Sequence, residues 1–169
     1  MHELPKATAH GASKQETYHL LIEGMGGLLA GERDWLVNTA NVSAWIYQML
    51  PQLNWAGFYF LRGGELVLGP FQGKVACGRI ALGKGVCGAA AVRRQTVGVA
   101  DVHAFPGHIA CDAASESEIV VPIILHGGRL VGVLDLDSPV KGRFDEVDRE
   151  HLERVVGMLA TGTDWDHIG

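Results

Sequence analysis

The chain has 169 residues, 47% of them hydrophobic and 20% charged, which is enough for one domain to bury a core without help from metals or disulfides. A formal charge of -5, with lysines and arginines scattered, offers no electrostatic footprint for nucleic acid or an anionic membrane. No apolar run approaches the ~18 residues of a bilayer span, and the polar stretch over residues 1–17 lacks a signal-peptide core, so the cytoplasm is the expected compartment.

Residues 1–14 read as an N-terminal tail, residues 15–163 as a single domain, and residues 164–169 as a C-terminal tail. Ser13-Lys14-Gln15-Glu16 has the spacing of a capping box, and Tyr18, Leu21, Ile22, Met25, Leu28 and Leu29 then recur at three and four residues, predicting an amphipathic helix. Trp35, Val42, Trp45, Ile46 and Met49 form the stripe of a second helix that ends before Pro51. From Trp55 the period becomes two. Residues 55–61 and 65–68 flank Gly63-Gly64, and residues 119–125 and 130–137 flank Gly127-Gly128, so two antiparallel hairpins are expected.

Between the hairpins, the pattern predicts a strand near residues 79–82, a short Ala-rich helix over about 86–94, and a strand over 96–100. Residues 101–115 then lack any sustained period, as expected of a lid or binding loop. Asp145 is a candidate N-cap for a last helix whose stripe is Leu152, Val155, Val156 and Leu159. The order predicts an α+β domain on a mixed, largely antiparallel sheet, with helices on one face and a ligand pocket on the other.

The three cysteines, Cys77, Cys87 and Cys111, fit neither a secreted disulfide framework nor a paired metal knuckle, so thiols in a reducing compartment are expected. Cys111 lies in the polar loop, where His103, His108 or backbone amides could favour its thiolate; the bland alternative is a small inert residue under a loop. Asp101, His103, His108 and Cys111 are all acceptable zinc ligands, as in a hydrolase or deaminase, but their spacing is not diagnostic, and no bound metal is expected. Cys87 follows Gly83-Lys84-Gly85 at the start of the Ala-rich helix, where the helix dipole would lower a thiol pKa, although tight packing accounts for it equally well. Cys77 precedes a strand and has no distinguishing local context.

Asp135 and Asp137 alternate with Leu134 and Leu136, so both carboxylates leave one sheet face, either as a wet edge or toward a ligand ammonium. Glu116 and Glu118 carry the same ambiguity. Trp55 and Tyr59 share a face with Gly57 between them, an arrangement that suits core packing or an apolar slot for a methyl or thioether group.

Several segments together resemble the free methionine-(R)-sulfoxide reductases, a GAF-domain family, along nearly the whole chain. They are Asn54-Trp55-Ala56-Gly57-Phe58-Tyr59, Leu68-Gly69-Pro70-Phe71-Gln72-Gly73-Lys74, Gly85-Val86-Cys87-Gly88, the loop from Asp101 to Asp112, Ser117-Glu118-Ile119-Val120-Val121-Pro122, and Leu134-Asp135-Leu136-Asp137-Ser138-Pro139. The resemblance implies a GAF-type fold and a nucleophilic Cys111 that attacks the sulfoxide sulfur while Glu118 protonates the oxygen. It further implies a disulfide with Cys77 in preference to Cys87, thioredoxin as reductant, and NADPH acting only upstream. Asp135 and Asp137 would then receive the substrate ammonium, backbone amides of the Cys111 loop its carboxylate, and Trp55 and Tyr59 its methyl group and side chain. Relatives of this type pair, and the first two helices are the expected homodimer contact. The alternative within the resemblance is a GAF module that senses a small molecule or redox state without catalysis.

Overall fold

The computed structural model describes Leu4, residues 11–109 and residues 111–168. Helix α1 (Lys14–Leu29) opens on the expected capping box: the Glu16 amide donates to Ser13 Oγ at 3.1 Å, and the Ser13 amide donates to the Glu16 carboxylate at 3.0 Å. Helix α2 (Trp35–Met49) is started by Asp34, whose carboxylate accepts from the Leu36 and Val37 amides at 2.9 and 3.0 Å. No helix among the described residues is long and apolar enough to cross a membrane.

Strands β1 (Trp55–Arg62) and β2 (Glu65–Gly73) form the first hairpin, with Gly63 and Gly64 at φ of 60° and 84°, the left-handed pair that a two-residue turn needs. Strand β3 (Arg79–Ala81), helix α3 (Gly85–Arg93) and strand β4 (Val97–Val99) follow. The long loop then makes only one turn of 3-10 helix, at Val102–Ala104. Strands β5 (Ser117–Ile124) and β6 (Leu130–Ser138) make the second hairpin, and helix α4 (Glu146–Gly162) starts at the N-cap Asp145.

The strands form one sheet in the order β3-β2-β1-β6-β5-β4, and every neighbouring pair is antiparallel. The expectation of a mixed sheet is therefore corrected. The strands joined by α3 lie at opposite edges of the sheet, so this crossover pairs nothing in parallel, and adjacent strands meet through hairpins or long returns.

Alternation along the strands divides the core in two. Ala56, Phe58 and Phe60 of β1, Ile119, Val121 and Ile123 of β5, and Leu134 and Leu136 of β6 pack beneath α1, α2 and α4. On the opposite face, Trp55, Tyr59, Val120 and Val133 pack with Val86, Cys87, Ala90 and Ala91 around α3. Within the segment expected as a C-terminal tail, Trp165 and Ile168 are buried in the helical layer. Trp165 is held on both sides: its indole donates to the Ala160 carbonyl at 3.0 Å, and its own carbonyl accepts from Arg129 at 3.0 Å. Of the expected N-terminal tail, residues 1–3 and 5–10 lie outside the described residues.

Candidate active site

The face carrying α3 encloses a pocket of about 540 Å³, counting its open mouth. Strand register builds its floor. Asp137 of β6 pairs with Trp55 of β1 on one side and Glu118 of β5 on the other, while Asp135 pairs with Gly57 and Val120. One row across three central strands thus presents an indole and two carboxyl groups, with a third carboxyl two residues along. Leu134 and Leu136 face the helices and Asp135 and Asp137 face the pocket, as the alternation requires.

Confinement of three acids changes their chemistry. Glu118 and Asp135 are each only 6% exposed. Burial, reinforced by Asp135 and then Asp137, holds the Glu118 carboxyl well above the ordinary range, which favours its protonated form. Burial raises Asp135 to about 6, and burial together with the Asp135 charge raises Asp137. Asp135 Oδ1 has no hydrogen-bond partner among the described residues, the state expected of a group that awaits a donor from a ligand. Glu116 is separate from this cluster; it lies 3.4 Å from the His103 imidazole near the surface.

Trp55 and Tyr59 form the apolar wall, stacked with their ring centres 5.9 Å apart. Of the two readings of Gly57, core packing and an apolar slot, packing is the one found, because Phe71 from β2 fills that space and stacks on Trp55 at 5.2 Å. A Cβ on Gly57 would stand 2.3 Å from Phe71 Cβ and 2.8 Å from the Trp55 ring. Gly57 therefore admits a neighbouring side chain, and the ring faces themselves remain as the apolar surface. Tyr59 Oη donates to the Cys77 carbonyl at 2.9 Å, which fastens the segment between β2 and β3 to the sheet.

The cysteines separate into two kinds. Cys77 and Cys111 are joined by a disulfide, with Cα atoms 5.6 Å apart across a sequence separation of 34, and Cys111 lines the pocket. Cys87 is the free thiol and is buried in the pocket wall, 3.9 Å from Glu118 Oε1. Its position near the N-terminus of α3 does not lower its pKa. Burial, with Asp135 and Glu118 adding to it, pushes the thiol well above its usual value, since desolvation and two facing acids outweigh a dipole.

Asn54, not singled out in the sequence, holds the Cys111 loop: its side-chain amide donates to Asp112 and to Ser115, both at 3.0 Å. Asp112 also accepts from the Ala114 amide at 2.9 Å, and these two bonds, with Lys74 nearby, hold its carboxyl below the usual range. The sequence signals for Asn54 are its place at the head of the Asn54–Tyr59 segment that carries the family resemblance and its polarity at the mouth of a buried strand. Lys84 is another pocket residue that the sequence reading did not select. His108 lines the pocket, but burial and the neighbouring His103 push its pKa down, so it is poorly suited to supply the positive charge expected of it.

The four residues acceptable as zinc ligands, Asp101, His103, His108 and Cys111, are not brought together. Asp101 and His103 gather with Glu116, whereas His108 and Cys111 belong to the pocket. A second group, Cys87, Glu118 and Asp135, has its donor atoms within 4.8 Å of one another.

Fold and pocket together define a GAF domain with a disulfide at the edge of its cavity, and a GAF-domain family model matches residues 45–162. The free methionine-R-sulfoxide reductase of Escherichia coli is 51% identical over 147 residues, covering 87% of this chain and 88% of the relative. That of Saccharomyces cerevisiae is 46% identical over 154 residues, covering 87% and 86%. The X-ray structure of free methionine-R-sulfoxide reductase from Neisseria meningitidis in complex with its substrate superposes with a TM-score of 0.89 at 41% identity, covering 96% of this chain and 95% of that one. The chain belongs to the free methionine-R-sulfoxide reductase family of GAF domains.

Proposed function

We propose that this chain reduces free L-methionine-(R)-sulfoxide to methionine, with Cys111 as nucleophile. The observation that carries the reading is the Cys77–Cys111 bond at a pocket floored by Glu118, Asp135 and Asp137. A thiol pair supplies two electrons, and three confined carboxyl groups can provide both a proton and a seat for an ammonium ion.

Cys111 thiolate attacks the sulfoxide sulfur as protonated Glu118 delivers its proton to the oxygen. The oxygen passes to Cys111 as a sulfenic acid and methionine is released. Cys77 then attacks the Cys111 sulfur, water leaves, and the disulfide forms; the substrate has gained the two electrons that the thiols lost. Thioredoxin reopens the disulfide by exchange and draws its electrons ultimately from NADPH, so the enzyme itself binds no cofactor. A cytoplasmic setting suits this cycle because it keeps the resting thiols reduced.

Asp135 and Asp137 take the ammonium, with Asp135 Oδ1 as a waiting acceptor. Backbone amides of the Cys111 loop take the carboxylate, aided by Lys84, and Trp55 and Tyr59 flank the methylthio end. Both termini are thereby enclosed, which excludes methionine sulfoxide within a peptide. Two copies pair through α1 and α2, where Leu36, Val37 and Tyr47 are exposed.

A product assay with both sulfoxide epimers, free and peptide-bound, tests this function. Only the free R epimer should yield methionine with thioredoxin, its reductase and NADPH, and Cys111→Ser should yield none. Turnover retained in Cys111→Ser removes the nucleophile, and equal use of the peptide-bound substrate removes the enclosed site. Cys77→Ala should complete a single turnover and then stall as a trappable sulfenic acid; sustained thioredoxin-dependent recycling would reassign the resolving thiol.

A further inference from the structure

One soft and two hard donors converge at the pocket wall from three elements: Cys87 Sγ from α3, a Glu118 oxygen from β5 and an Asp135 oxygen from β6. All lie within 4.8 Å of one another, and all three residues are buried. Asp135, 94% buried by its 6% exposure, faces the pocket with Oδ1 unpartnered among the described residues, which marks a group built to meet a ligand.

We propose that Cys87, Glu118 and Asp135 form a binding site for a single Zn²⁺ ion, a ligand distinct from the substrate of the proposed reaction. One thiolate and two carboxylates give the borderline-soft, low-coordinate donor set that zinc accepts, with water from the open pocket as the fourth ligand. Calcium and magnesium are poor fits because they call for six or more oxygen donors and gain little from sulfur. The spacing is close to what coordination needs. Zn–S of ~2.3 Å and Zn–O of ~2.0 Å at a tetrahedral angle place sulfur and oxygen about 3.5 Å apart, against 3.9 Å between Cys87 Sγ and Glu118 Oε1. A shift of a few tenths of an ångström within one rotamer closes that difference. The cation neutralises acids that otherwise repel one another, and Cys87 gives up its thiol proton to solvent on binding.

Bound zinc puts positive charge on Asp135, where the proposed substrate ammonium would sit, so the ion acts as a competitive inhibitor; this consequence rests on the functional reading above, whereas metal binding does not. The oxidised protein provides a clean test, because the disulfide occupies Cys77 and Cys111 and leaves Cys87 as the free thiol. Co²⁺ is the probe, since thiolate ligation gives it a charge-transfer absorption in the near ultraviolet that zinc lacks. Titration should raise that band to saturation at one equivalent, and one equivalent of Zn²⁺ should abolish it. Cys87→Ala should show no band, and Asp135→Asn and Glu118→Gln should each weaken binding at least ~10-fold, with circular dichroism confirming that each variant is folded. A flat titration of the wild-type protein, or a band that survives in folded Cys87→Ala, overturns the site. Methionine production by chelator-treated reduced protein is measured separately, so failure of the metal site and failure of the enzymatic reading are distinct results.

Discussion

At the scale of single residues, the site depends on what each position refuses as much as on what it offers. Gly57 is the clearest case, because a Cβ there would meet Phe71 Cβ at 2.3 Å and the Phe71 Cα at 2.8 Å, with β1 and β2 unable to separate without losing their pairing. Gly57→Ala should therefore destabilise the fold by about 1–3 kcal/mol through overpacking, and it should disturb the Trp55 wall. Denaturant unfolding measures the first effect; an unchanged midpoint would show that Phe71 can move aside freely. Cys87 makes a related point about environment. Its helix position alone favours the thiolate, yet its buried acidic neighbours favour the thiol.

Among the elements, the strongest polar junction joins α1 to the start of α4. Asp148, fully buried, accepts from Tyr18 Oη at 2.7 Å, Lys14 Nζ at 2.7 Å, the Asp145 amide at 2.9 Å and Arg143 at 3.2 Å. Removing that carboxylate strands the buried Arg143 guanidinium without its counter-charge, so Asp148→Ala should cost about 3–5 kcal/mol of stability. Loss of less than about 1 kcal/mol in chemical denaturation would mean that water readily replaces the carboxylate. Neighbouring Asp145 carries a smaller, pH-dependent contribution. Its bond to Lys14, supported by the Asp148 amide, depresses its pKa to about 2. A depressed acid adds stability that is present above its unfolded pKa of ~3.9 and is lost as pH falls through its folded value. The wild-type melting temperature should thus fall more than that of Asp145→Asn between about pH 4 and pH 2; parallel curves would remove the Lys14 contact as the cause. Asp145 is largely exposed, so the difference should be small.

For the whole molecule, the disulfide couples redox state to stability. It closes a span of 34 residues that includes β3, α3 and β4. Chain-entropy reasoning assigns such a loop at most about 4 kcal/mol, equivalent to roughly 10 °C in Tm for a chain of this size. Oxidised protein should melt above reduced protein by up to that amount, and Cys77→Ala should abolish the difference. Calorimetry on matched samples decides it; equal melting temperatures in the two states would show that the reduced loop is already held by other contacts, Asn54 to Asp112 and Ser115 foremost.

Read residue by residue, the chain itself determined its helices, both glycine hairpins and the face on which Asp135 and Asp137 stand, because caps, turns and side-chain alternation are interactions over a few residues. Tertiary structure decided what depends on distant segments meeting: the wholly antiparallel sheet, Phe71 in the space beside Gly57, the row of Trp55, Asp137 and Glu118, and the burial of Trp165 and Ile168. The same is true of Asn54 on the Cys111 loop and of the proton held by Cys87. Strand register and desolvation set these features, and neither leaves a local periodic mark in the chain.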